Sequence, residues 1–417
     1  MILEHEIQEL VWDSILRLEK WVDSNGWDGY DPYDIKSIPL YRYLFTNKNR
    51  SLILKFTRYP IIIFENLFPI QIRKLLGVKK HINPLAMALF AKSYFNLLSI
   101  TGINSFREKA FHCLNWLEEN ASSEYCGVGW GHCFDWDSVV FFPSGTPFST
   151  VSCAAGDAFW EAYKTENYEK GINFCIKICE HFLNDYRITH NDKYSICFSY
   201  SPLDDFCIHN SNLMIAEFLT RIGIEIGNND YIDIGMKAAQ YALDEQNSDG
   251  SIYYWGKKQN HNNPNHIDGY HSGFEIRCLY RMWKLTNEEK FKLSLLNYFD
   301  YYKNNLLFKM HNSVIPKIRP DRVYPIDIHA CAEAILCNVV LSNDFSESDQ
   351  LLSELLPWII RNMQEKNGWF IYKIVKIMNF EYKISIPFIR WGQALMLLSL
   401  SEFMKSKVKA KVNIPYL

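Results

Sequence analysis

Apolar and small residues fall at helical spacing in six stretches of the chain, and these stretches recur at a nearly constant interval. They begin near Pro84 (PLAMALFAKSYFNLL), Thr150 (TVSCAAGDAFWEAY), Asn210 (NSNLMIAEFLTRIG), Ser272 (SGFEIRCLYRMW), Ile328 (IHACAEAILCNVVL) and Ile389 (IRWGQALMLLSL), with spacings of 66, 60, 62, 56 and 61 residues. A more charged, amphipathic helical pattern follows each of the first five, starting near Phe106, Tyr168, Tyr231, Glu289 and Asp349. The N-terminus supplies the sixth partner. Residues 4–24 carry Ile7, Leu10, Val11, Ile15, Leu18 and Val22 at a period near 3.6. Short turn- or strand-like pieces, among them GWDGYDPY, GVGWGHCFDW, DGSIYYWG and NGWFIYKI, close each unit.

The unit is therefore inner helix, outer helix and small β-like excursion. Six such units predict an all-α fold, an (α/α)6 toroid (six-hairpin barrel), filling residues 1–417 as a single domain with helix 4–24 completing the outer ring. Strict alternation makes the inner helices parallel, so their N-termini and the preceding excursions gather at one mouth. Each N-terminus carries about half a positive charge, which favours an anionic group in the space they face.

Polar and aromatic residues concentrate at that rim. Asp135, Asp268, His271, Asp327 and His329 are the candidate catalytic groups. Tyr30, Asp31, Asp34, Trp130, His132, Trp136, Asp137, His209, Asn210, Trp255, Tyr270, Arg390 and Trp391 are the candidate substrate-binding groups. Aromatic rings suit the C–H faces of sugars, and the polar groups between them suit hydroxyls. Each motif also has a plain structural reading. Asp135 and Asp137 in FDWD fit a turn, Asp268 and Asp327 fit helix N-caps, Asp31 and Asp34 fit a turn around Pro32, and Arg390 fits a wall ion pair. Convergence on one rim is what favours function.

Composition changes the picture mainly by exclusion. Lys and Arg number 44 and Asp and Glu 47, a net charge of −3, so nothing electrostatic points to nucleic acid. Met1–Leu10 is acidic and amphipathic, unlike a secretory signal, and no run of about 18 apolar residues suggests a membrane span. PIIIFENLFP (Pro60–Pro69) is compatible with contact at a membrane surface. The 11 cysteines lie mostly in apolar helical patterns, as in a reducing compartment, so a cytoplasmic, membrane-peripheral at most, protein is expected.

Several segments occur together and in order: GWDGYDPYDI, Phe68–Phe90, GWGHCFDWDS, GTPFSTVSCAAGDAF, the segment from Asp249 to Ile276, and YPIDIHACAEAI. Together they resemble the VpsJ-like bacterial polysaccharide-biosynthesis proteins, over roughly Trp21–Leu400. The resemblance implies a six-hairpin glycosidase-type toroid and a role in capsule, exopolysaccharide or O-antigen synthesis. It also makes a polysaccharide-synthesis complex a compatible setting. The family tends to have tyrosine where His132 stands and glutamine where Asp137 stands, so Asp135 fits the pattern better than Asp137.

An acidic, uronate-containing saccharide or its precursor is the expected partner. Glycoside hydrolysis, which needs a carboxylic acid and usually a second carboxylate, is the leading reaction, with Asp135, Asp268 and Asp327 available. Epimerisation or β-elimination by His271, His329 and Tyr270, with Arg390 neutralising charge, is the alternative. A non-catalytic glycan-binding or scaffold role is the second. No cofactor is expected. His132–Cys133, Cys207 with His209, and His329 with Cys331 are suggestive of zinc but lack the usual spacing of a zinc site.

Overall fold

The computed structural model describes residues 4–46, 52–259 and 263–409; residues 260–262, within the quoted Asp249–Ile276 segment, lie outside the described residues. The helices are α1 (Glu4–Asn25), α2 (Pro39–Thr46), α3 (Leu52–Leu67), α4 (Pro69–Leu75), α5 (Pro84–Thr101), α6 (Asn104–Glu119), α7 (Ser149–Glu166) and α8 (Glu169–Asp185). They continue as α9 (His209–Ile226), α10 (Asn229–Glu245), α11 (Gly269–Thr286), α12 (Glu289–Asn305), α13 (Ile328–Leu341), α14 (Ser346–Met363) and α15 (Leu395–Lys409). A π-helical segment, Ile389–Ala394, leads into α15.

The inner ring is α5, α7, α9, α11, α13 and α15, each packed on the next, with α15 against α5 closing the circle. The helices α6, α8, α10, α12, α14 and α1 back them on the outside. This is the (α/α)6 toroid that the periodicity predicts. Burial explains the division of labour. Every residue of α13 except Val340 is buried, whereas α8 and α10 bury one stripe and leave the opposite face in water.

Capping explains the tight hairpins. Inner helices α5, α7, α9 and α11 end on Gly102, Asn167, Gly227 and Asn287, all left-handed, so the chain reverses at once into the outer helix. At the opposite ends, Asn83, Asp268 and Asp327 accept backbone N–H groups from the first turns of α5, α11 and α13.

The excursions are two-stranded antiparallel pairs: Asp28–Gly29 with His81–Ile82, Trp136–Asp137 with Phe141–Phe142, Ile188–Asn191 with Ile196–Phe198, and Leu307–Met310 with Ser313–Pro316. The hairpin of Lys373–Ile377 and Phe380–Ile384 pairs in addition with Ile326–Asp327. The first excursion meets the start of the last inner helix at Gly29, where a Cβ would fall 2.6 Å from the Cβ of Ile389. One departure from the repeat stands out: α2, α3 and α4 form an insertion between the first outer and first inner helices. Their apolar residues pair with no counterpart in the other units, so a repeat-based reading has no place for them.

Candidate active site

A cavity of about 790 Å³ runs down the toroid from the mouth. An arc of rings forms its upper wall. Tyr254 lies 4.4 Å from His271, His271 4.2 Å from Tyr270, and Tyr270 stacks on His329 at 4.1 Å between centroids. His329 then lies 4.8 Å from Trp391, Trp391 meets Tyr33 edge-on at 5.2 Å, and Tyr33 stacks on Trp136 at 5.4 Å. All seven rings line the cavity. Offset and edge-to-face contacts of this kind hold aromatic walls rigid.

The acid–base groups sit in this arc because of how the inner helices start. Asp268 caps α11, its Oδ1 accepting the His271 backbone N–H at 2.9 Å. Its other oxygen lies 2.7 Å from His271 Nδ1 and 2.8 Å from His266 Nε2. Burial acts to raise the Asp268 carboxyl, but the two imidazoles more than offset it and hold the group well below the usual carboxylate range. In the neutral tautomer whose Nδ1–H donates to this carboxylate, the Nε2 of His271 is left with a lone pair facing away from Asp268.

His329 stands across Tyr270 at the start of α13. Burial, with His271 and Arg390 adding to it, pushes its pKa well below the ordinary value, so its ring is neutral. His132 is driven down to about 3, first by burial and then by Arg390. His329 Nδ1, His132 Nδ1 and Asn210 Oδ1 are buried with no hydrogen-bond partner among the described residues.

Arg390 enters the wall from the π-helical segment. Its Nε and Nη2 donate to the two Asp31 oxygens at 2.7 and 2.8 Å, and its guanidinium lies 5.0 Å from the Trp391 ring centre. Deeper in the cavity, Arg277 grips Glu333 at 2.8 Å, while Asp157 and Glu217 face Arg221 and Arg281. Each carboxylate lining the cavity (Asp157, Glu217, Glu333) thus has a cationic partner.

The predicted residues divide into three groups. His132, Trp136, Asn210, Trp255, Tyr270, His271, His329, Arg390 and Trp391 line the cavity. Asp268, Asp31 and Asp327 lie behind it as supports: Asp268 under His271, Asp31 under Arg390, and Asp327 as the α13 N-cap, its carboxyl raised to about 6 by burial despite Lys373.

The remainder have other work. Trp130 is not a stacking platform: it is buried in the core, its indole donating to the Leu117 carbonyl at 2.9 Å. Tyr30 is packed with Ile384 and Phe388, and Asp34 is held by Arg73 at 2.9 Å. His209 is buried between the Tyr253 carbonyl at 2.7 Å and Glu245 at 3.1 Å. Asp135 accepts the Ser144 N–H and faces Arg42 at 3.7 Å, and Asp137 is a strand residue paired with Phe141.

Tyr33, Lys36, Tyr200, Tyr254, His266, Arg277 and Glu333 line the cavity without having been singled out in the sequence. Only His266 had a readable signal, the H-x-D-x-x-H spacing ending at His271. His266, Asp268 and His271 also bring three ligand atoms within 4.8 Å of one another, a set able to hold a metal ion. Cys133, Cys207 and Cys331 take no part in that set.

No family model matches this chain, and no curated protein sequence matches it. Solved structures do. A D-mannose isomerase superposes with a TM-score of 0.60 at 13% identity, over 78% of this chain and 86% of its own. A sugar epimerase from a ruminal bacterium gives 0.59 at 11% identity, over 81% and 91%. An unsaturated glucuronyl hydrolase specific for heparin gives 0.59 at 11% identity, over 97% of this chain and 98% of that one. At these identities the likeness establishes the architecture, the six-hairpin toroid, and no more.

Proposed function

We propose that this chain is a saccharide-active enzyme that moves a proton at a carbon beside a carbonyl, as an epimerase or isomerase does. The observation that carries the reading is the pair of imidazoles flanking Tyr270. His271, backed by the ionised Asp268, offers a lone pair at Nε2, and His329 is a neutral imidazole on the same wall. His271 is the general base. His329, neutral, donates a hydrogen bond to the carbonyl oxygen, and the imidazolium formed on His271 returns the proton. Arg390 and the helix N-termini stabilise the enolate charge that develops between them. The aromatic arc holds the sugar ring.

This reading takes precedence over hydrolysis because the cavity carboxylates are already matched by Arg277, Arg221 and Arg281, and Asp135 faces Arg42. A two-carboxylate mechanism needs one free carboxylate and one protonated acid flanking the bond. The positive end of the toroid and Lys36 favour a carboxylated saccharide, and the motif resemblance suggests a setting in bacterial surface-polysaccharide synthesis. The structural relatives with epimerase and isomerase in their names support the chemistry by analogy only.

The test is incubation in D2O with reducing sugars and with uronate oligosaccharides, followed by NMR. Solvent deuterium at C2 or C5 without chain cleavage is the expected result. New reducing ends without exchange would establish the hydrolase instead. Saccharide binding with neither outcome would establish a non-catalytic glycan-binding protein.

A further inference from the structure

Beside the mouth, the insertion α2–α4 and the hairpin Lys373–Ile384 expose an apolar surface that the site does not use. Along α3, Tyr59, Ile63 and Leu67 recur every four residues on one stripe, with Phe64 next to it, and all are exposed. The hairpin tip is more exposed still: Met378 at 89% and Phe380 at 78%. Met378 takes a left-handed conformation (φ 54°) in a two-residue turn that favours Asn or Gly. An apolar side chain is thus held at the outermost point against local preference.

The two parts form one face. The Tyr382 hydroxyl donates to the Leu67 carbonyl at 3.2 Å. Ile70 of α4 and Val78 after it pack with Ile384 and Phe388 at the hairpin base. The face borders the cavity through Tyr33 and Lys36, which line the mouth just before α2.

Charge identifies the occupant. Lys74, Lys79, Lys80 and Lys383 are exposed around this apolar surface and form no ion pair among the described residues. The acidic groups nearby are engaged: Glu65 with Tyr41 and Arg73, and Glu381 with the Tyr324 hydroxyl. Exposed apolar side chains with unpaired lysines on and next to the same elements match a bilayer, whose acyl boundary takes the former and whose anionic headgroups take the latter. No helix of the described residues is long and apolar enough to cross a membrane, so the contact is peripheral. We infer that this face docks the protein on an anionic lipid bilayer, with the hairpin tip and the α3 stripe entering the headgroup–acyl boundary.

The test is co-sedimentation of the full chain with phosphatidylcholine vesicles, with and without phosphatidylglycerol. Binding is expected to require phosphatidylglycerol and to weaken with salt. Met378→Asp with Phe380→Asp should lower vesicle partitioning by about tenfold or more, as expected for removing two exposed apolar side chains that the bilayer would bury. Lys79→Glu with Lys80→Glu should lower it without affecting the apolar tip. Unchanged thermal midpoints would show that the exposed substitutions leave the fold intact. The inference is overturned if wild-type chain ignores vesicles of both compositions, or if the variants partition as the wild type does. It is also overturned if sedimentation shows a dimer that the tip substitutions dissociate and vesicles do not.

Discussion

His271 Nδ1 and Asp268 Oδ2 lie 2.7 Å apart, and that same carboxylate oxygen takes His266 Nε2 at 2.8 Å. One buried anion therefore fixes the tautomer of the proposed base while its other oxygen caps α11. Asp268→Asn separates the two roles. Asparagine keeps the cap, but its amide N–H₂ facing Nδ1 turns the imidazole so that Nε2 carries the proton. The expected result is a fall in kcat of about 10²- to 10⁴-fold, with KM within a few-fold and an almost unchanged thermal midpoint. A parallel loss of kcat and midpoint would instead mark Asp268 as structural. His266→Ala, which leaves the His271 contact in place, should cost far less activity.

The Arg390–Asp31 pair joins residues 359 apart in sequence, the first excursion to the last inner helix. Both side chains are buried, and Asp31 also accepts the Tyr33 N–H at 2.9 Å. Arg390→Ala leaves a buried carboxylate without its cation, which should cost about 3–5 kcal/mol of unfolding free energy. Asp31→Asn should cost a similar amount by stranding the guanidinium. Urea denaturation of both single variants and the double should show strong non-additivity, because the second substitution removes a group already left unpaired. Additive losses would mean that the two residues do not act as a pair.

The helix repeat was legible because hairpins in a ring bury one another's faces, and that leaves a period in the chain. Side-chain direction at the rim leaves no such trace. Trp130 and Trp136 are six residues apart in one segment, yet Trp130 sits between Gly129 and Gly131, whose backbones press against His181 and Thr146. That close packing turns its indole into the core, whereas Trp136 stacks on Tyr33 in the cavity. His209 and His271 both occupy inner-helix starts, but His209 meets Glu245 of the outer helix behind it. Arg277 and Glu333 were hidden for another reason. They lie past the first turn of α11 and α13, where a polar residue reads as the solvent face of an amphipathic helix. The π-helical segment that aims Arg390 has no sequence signature.

The buried neutral histidines make a pH prediction. His132 titrates at about 3 in the folded chain against an ordinary value of 6.5, because burial, then Arg390, disfavours its charged form. Below pH 6.5 the unfolded chain binds a proton there that the folded chain refuses. Stability is therefore lost as pH falls, at up to about 1.4 kcal/mol per pH unit, or about 2 kcal/mol from this residue by pH 5. His329 acts in the same direction. Asp327 opposes them, since its folded value of about 6 adds stability as pH falls from there towards 3.8. His132→Phe isolates the contribution of this histidine. The ring lies among Phe134, Phe148 and Trp136 and its Nδ1 has no partner, so phenylalanine fits at little cost. Urea midpoints from pH 7.5 to 5 should fall less steeply in this variant, and an identical slope would show that His132 is not the group concerned.

Metal ions give the last prediction. The ligand atoms of His266, Asp268 and His271 lie within 4.8 Å of one another, but Asp268 Oδ2 already joins both imidazoles by hydrogen bonds. An ion bound there would displace the proton from a nitrogen that now donates to Asp268, releasing it to solvent, and break the contact that holds the His271 tautomer. Added Zn²⁺ should therefore inhibit proton exchange, EDTA should restore it, and the enzyme as purified should keep its activity through chelation. His266→Ala removes one ligand, and sensitivity to Zn²⁺ should drop by about 10-fold or more. Loss of activity on EDTA treatment, with metal bound in stoichiometric amount, would reverse the assignment and make the three residues a catalytic metal site.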